Sequence, residues 1–146
     1  MRDGTNTVMV KRGISPAVIA NNTARVSQIV DRLGYEWLIA DIVTGTLVDA
    51  DATFTVLVED GNDSGLSDAA AVVDAELVSQ TVGTAPEAAA SFTFAADNNV
   101  RKIEYIGLKR YVRLTITPAT NTGNALFGMV WRLGSPQQAT VTQGPS

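Results

Sequence analysis

Apolar and polar side chains alternate strictly along residues 110–117. Val112, Leu114 and Ile116 share one side, while Tyr111, Arg113, Thr115 and Thr117 share the other. That period of two is what a half-buried strand requires. Residues 53–59 repeat it, with Phe54, Val56 and Val58 inward. Residues 36–43 are apolar on both sides except at their ends and at Asp41, which predicts a central strand covered on both faces. Residues 26–30 predict a modest strand that ends before a turn at Leu33-Gly34. Phe92 and Phe94 fall on one face of a further segment, and a short strand precedes Gly107. Residues 125–132 predict the last strand, with Phe127, Met129 and Trp131 on one side.

Breakers divide these runs. Residues 8–12 read either as a short strand or as an extended arm, and Ser15-Pro16 interrupts regular structure. Asp60-Gly-Asn-Asp-Ser-Gly65 is dense in turn formers. Ser67 is placed to cap a short helix running to about Val78, with Ala69, Val73 and Leu77 on one face. Ala70 leaves its capping box incomplete, and the pair Val72-Val73 equally suits the start of a strand. Residues 83–90 form an Ala-rich connection around Pro86, and residues 118–124 a loop. The layout is roughly seven or eight short strands with turns between them, an all-β chain of β-sandwich or jelly-roll type. The expected organisation is a single domain over residues 25–134, an extended N-terminal arm over 1–24 and an uncharged tail over 135–146.

Composition narrows the chemistry. At 146 residues the chain is long enough for one substantial core. It has no Cys, so no disulfide frames the fold, and no His, the commonest general base and transition-metal ligand. No apolar run reaches membrane-spanning length and the first residues lack a secretory layout, so neither membrane insertion nor export by a cleaved signal is expected. The net charge of −4 is unevenly spread. Residues 33–100 hold twelve acidic residues and no Lys or Arg, whereas residues 1–32 carry +3 and residues 101–146 carry +5. Either solvated strand faces segregate by sign, or the molecule has unlike poles suited to docking.

Candidate sites are few. Asp60-Gly-Asn62-Asp63-Ser64-Gly65 imitates the start of a calcium loop, but Ala71 stands where the closing Glu would be, which favours a plain turn. Arg101, Lys102, Lys109, Arg110 and Arg113, with Tyr105 and Tyr111 between them, could bind anions. The acidic chain and the alternation of Arg110 and Arg113 favour protein contact or solvation over nucleic acid. No hydrolase elbow or phosphate-cradling glycine loop is present and no pair of carboxylates is singled out, so an enzyme, a cofactor or a structural metal is not expected. Trp37, Phe54, Phe92, Phe94, Phe127 and Trp131, on alternating strands, read as core rather than as a ligand cage.

The phrase Tyr105-Ile-Gly-Leu-Lys-Arg-Tyr-Val-Arg113 resembles one in small proteins encoded among the head genes of tailed bacteriophages, the capsid decoration or cement proteins. The resemblance extends loosely over residues 33–138. It includes Leu33-Gly34-Tyr35, the run Val58-Glu59-Asp60 with its acidic loop, and the closing stretch from Phe127 to Pro136. Residues 62–67 and 85–90 depart from the family pattern. The resemblance implies a non-enzymatic virion component, made in the host cytoplasm and placed on the outer capsid surface. It further implies a homotrimer that clamps neighbouring copies of the major capsid protein. Lys11 and Arg12 on the arm, with Arg101, Lys102 and Lys109, are the expected capsid or subunit contacts. Two alternatives stand beside it: a carbohydrate-binding β-sandwich of a head fibre or adhesin, which needs exposed Trp37 and Trp131, and a neck or tail structural protein.

Overall fold

The computed structural model describes residues 4–137. In chain order its strands are β1 (Val8–Ile19), β2 (Arg25–Val26), β3 (Val30–Asp31), β4 (Tyr35–Leu47), β5 (Thr53–Gly61), β6 (Ala70–Ala71), β7 (Leu77–Ser79), β8 (Phe92–Thr93), β9 (Val100–Tyr105), β10 (Tyr111–Ala119) and β11 (Ala125–Pro136). A single short helix among the described residues, α1 (Pro86–Ala90), begins with Pro, whose fixed φ suits a first turn. The strands form two antiparallel sheets. One has the order β1-β11-β4-β9-β7; the other is built on β2-β10-β5-β6, with β3 beside β10 and β8 beside β5. The chain is an all-β sandwich.

The alternating runs supply the core between the sheets. Val112, Leu114 and Ile116 of β10 lie beside Phe54, Val56 and Val58 of β5. Facing them are Leu38, Ala40 and Ile42 of β4 and Phe127, Met129, Trp131 and Leu133 of β11, all buried. Phe54 stacks on Phe92 at 4.8 Å between centroids, and Phe127 meets both edge-on. Each such side chain contributes about 1.5–3 kcal/mol through burial. Phe94 does not join them, because the chain turns at once into a 3-10 turn (Phe94–Ala96) that leaves it 43% exposed.

Several expectations need correction. Residues 8–19, assigned above to an arm, are an edge strand of the five-stranded sheet, with Val8 opposite Gly134 and Ile19 opposite Ala125. Met9, Ile14 and Ile19 turn toward the core, and that burial holds the strand in place. Ser15-Pro16 does not end it. The sheet absorbs the pair as a register shift between Ile14 and Ala17, at an edge where the missing N–H breaks no ladder. At the other end β11 runs to Pro136, into the expected tail, while residues 138–146 lie outside the described residues.

The helix expected from Ser67 is replaced by β6, a 3-10 turn (Asp74–Glu76) and β7. Its β-branched residues favour extended backbone, and the Val72 N–H donates to the Val58 carbonyl at 3.0 Å. The modest strand at 26–30 splits into β2 and β3, both laid against β10. Finally, β4 is covered on one face only. Leu38, Ala40 and Ile42 are buried, whereas Trp37, Ile39 and Asp41 are half-buried and Val43 is exposed.

Candidate interaction surface

The phrase from Tyr105 to Arg113 is a bracket between the sheets. Tyr105, at the end of β9, donates its hydroxyl to Asp60 Oδ2 on β5 at 2.7 Å. Burial, together with this bond to a carboxylate, pushes the phenol well above its ordinary value and keeps it protonated. Lys109 Nζ lies 3.2 Å from the other Asp60 oxygen, and the Lys109 N–H donates back to the Tyr105 oxygen at 3.1 Å. Gly107 lies so close to the Tyr105 ring that a Cβ would sit 2.5 Å from it, so glycine is required there by contact. Arg32 completes the bracket, with Nε donating to the Lys109 carbonyl and its guanidinium above the Tyr105 ring.

The remaining basic residues of the phrase are also paired within the chain. Arg110 makes two bonds to Asp31, at 2.9 and 2.7 Å, and these bonds hold that carboxyl below its ordinary range. Arg113 donates to Glu59 directly across the β10–β5 ladder at 2.8 Å. On β11, Arg132 grips Asp41 of β4 with two nitrogens. Charge segregation along the chain thus becomes cross-strand pairing. Late basic strands lie against earlier acidic ones, so the sign bias does not by itself create opposite poles.

The five predicted contact residues separate. Lys109 is tied to Asp60. Arg101 turns inward near the start of β9 and donates Nη1 to the Ala89 carbonyl at 3.0 Å, clamping α1. Lys11 lies in register with Trp131 on the inward side of β1 and close enough to Asp31 to lower its pKa. Arg12 and Lys102 are exposed on the outer face of the five-stranded sheet. The ladders align Arg12, Val130, Asp41 and Lys102 in one cross-strand row. At about 4.8 Å per strand, the two cations stand roughly 14 Å apart.

Around that row the outer face is apolar on the side of Val43 and Val100, while the row on its other side carries Arg132 and Glu104. Val10, Val43, Val100, Leu126 and Val130 are all exposed on this face. A depression of about 280 Å³ opens near its upper end, lined by Ile14, Pro16, Val43, Leu126 and Val130 above the glycines Gly45 and Gly128. At Gly128 a Cβ would press on Pro16, and at Gly45 on Leu126. Here sequence reasoning missed residues for an identifiable reason. The two-sided apolar pattern of β4 was the signal, and it was assigned to burial within the chain. The outer face of the other sheet differs: Thr53, Thr55, Thr115 and Thr117 stand with the Arg113–Glu59 pair, and the face is mostly polar.

The acidic loop is organised by its own backbone. Asp63 accepts from the N–H groups of Gly65 and Ser67, and Asp68 accepts from those of Asn62 and Asp63. These bonds hold both carboxyls below their ordinary values. Asp60 faces away, into the bracket. Among the described residues no group of three acidic side chains could hold a metal ion. Trp131 is 1% exposed and therefore unable to stack on a sugar; Trp37 is half-buried across Gly134. No protein-family model matches the chain, and no curated protein is detectably similar to it.

Proposed function

We propose that this chain is a structural virion protein that binds the outer surface of a tailed-phage capsid and stabilises the shell by clamping neighbouring capsid subunits. One observation carries the reading beyond the resemblance. A strand patterned for burial on both faces has one face uncovered, and that face carries exposed valines beside Arg12 and Lys102. Such a surface suits contact with another protein more than chemistry on a small molecule. A lattice offers many identical sites, so a homotrimer engaging several at once gains avidity from modest contacts. The major capsid protein is the proposed partner.

The reading is tested by adding the purified chain to shells of its own phage that lack it, then imaging by electron cryomicroscopy. New density on the outer surface, with a raised shell disruption temperature, is expected. Density confined to the neck, tail or interior, or none at all, would overturn the proposal. Mass photometry of the free and bound chain tests the trimer.

A further inference from the structure

This inference rests on the capsid-binding reading and names the surface and partner chemistry it uses. The edge of β1 is poorly suited to pairing with another strand. It is broken by two register shifts, carries Pro16, and points Lys11 inward; these are devices that discourage edge-to-edge addition. Contact through the five-stranded sheet therefore falls to its outer face. There Val43 is 49% and Val100 61% exposed, adjacent in one row beside Gly128. The depression above Gly45 and Gly128 is apolar, no carboxylate lines it, and Arg12 forms part of its rim. One row away, Asp41 is held by Arg132, and Lys102 has no ion-pair partner among the described residues.

We propose that this face receives an acidic protein surface from which one apolar side chain of leucine or aromatic size enters the depression, with a neighbouring carboxylate meeting Lys102. Apolar anchors seated in a pocket and ringed by polar contacts are the usual source of binding energy at such interfaces. A second copy of this chain fits less well, because Asp41 on its matching face is already held by Arg132 and Glu104 lies close to the same guanidinium.

The probe is 1-anilinonaphthalene-8-sulfonate, which joins an aromatic body to an anion. Wild-type chain should enhance its fluorescence saturably, at one dye per chain. Val43→Asp and Lys102→Glu, both at exposed positions, should each weaken binding about tenfold, equivalent to about 1.4 kcal/mol. Thr117→Asp on the opposite sheet should leave it unchanged. The same three variants are then assayed by co-sedimentation with shells lacking the chain, where the same order is expected. Absence of saturable dye binding overturns the inference, as does equal loss with Thr117→Asp. An oligomer that dissociates on Val43→Asp makes a second copy the occupant and also overturns it. Dye binding that follows the predicted order, combined with no wild-type binding to shells, removes the capsid reading and leaves this surface for a different acidic protein.

Discussion

Tyr105 and Asp60 join the two sheets through a 2.7 Å hydrogen bond whose acceptor is only 2% exposed. Removing the donor leaves a buried carboxylate with Lys109 and less hydrogen bonding, at a cost of about 1–3 kcal/mol. Tyr105→Phe should lower the denaturant midpoint accordingly. Asp60→Ala should cost at least as much, and the double variant should show clear non-additivity. Additive losses would mean that the two groups act independently. Gly107→Ala should also destabilise, because its Cβ would meet the Tyr105 ring.

This bracket explains what was legible in the sequence and what was not. The side assignments of Val112, Leu114, Ile116, Phe54, Val56 and Val58 follow from period two alone, and the structure buries them all. The basic residues of the same phrase were visible, but their partners were not. Asp31, Glu59 and Asp60 lie far away in sequence, and only strand register brings them opposite. The residues 67–78 misled because a helical spacing of Ala69, Val73 and Leu77 coexists with β-branched backbone preference, and tertiary pairing decided between them. The outer face of β4 was legible as apolar, but no local pattern reports which apolar face its own chain covers.

Acid should reveal Glu87. Its Oε1 accepts from the Val58 N–H at 2.5 Å on an open stretch of the β5 edge, while Ser91 serves Val56 in the same way. Burial raises the Glu87 pKa above 4.5, against the lowering effect of that hydrogen bond. A raised carboxyl means that the folded chain binds more protons than the unfolded chain from pH 4.5 up to the folded value. Stability from this group therefore rises as pH falls through that window. Asp31, Asp49, Asp63 and Asp68 act oppositely. Their pKa values are lowered from 3.8, so their contribution is present above 3.8 and is lost as pH falls through the folded values. Glu87→Gln should remove the first trend and preserve the second in thermal melts across pH 3–7. An unchanged profile would show that Glu87 is not the group responsible.

Calcium should have no effect on folding. The carboxylates of Asp63 and Asp68 are occupied by backbone N–H groups, and Asp60 by Tyr105 and Lys109. Melting temperatures with millimolar calcium and with a chelator should coincide. A reproducible rise with calcium would require the loop to open and bind the ion, contrary to this account.

Deleting residues 1–12 should damage the fold itself rather than only a docking arm. The deletion removes the pairing of Val8, Met9, Val10, Lys11 and Arg12 with Gly134, Leu133, Arg132, Trp131 and Val130. At about 0.2–1 kcal/mol per cross-strand pair, the five contacts sum to about 1–5 kcal/mol. Loss of the packing of Met9 against the core adds to this. A domain with a total stability of about 5–15 kcal/mol can survive such a loss, but only weakened. The deletion also bares the edge of β11 from Val130 to Gly134, where Val130 is exposed on the outer face. Such an edge is a template for strand pairing between chains. The truncated chain should therefore melt earlier and form concentration-dependent aggregates in light scattering. Lys11→Ala with Arg12→Ala, by contrast, should stay folded and monodisperse, because the backbone ladder is intact. A truncated chain with wild-type melting and no aggregation would show that β1 contributes little to the sheet and would restore the arm as a separate docking element.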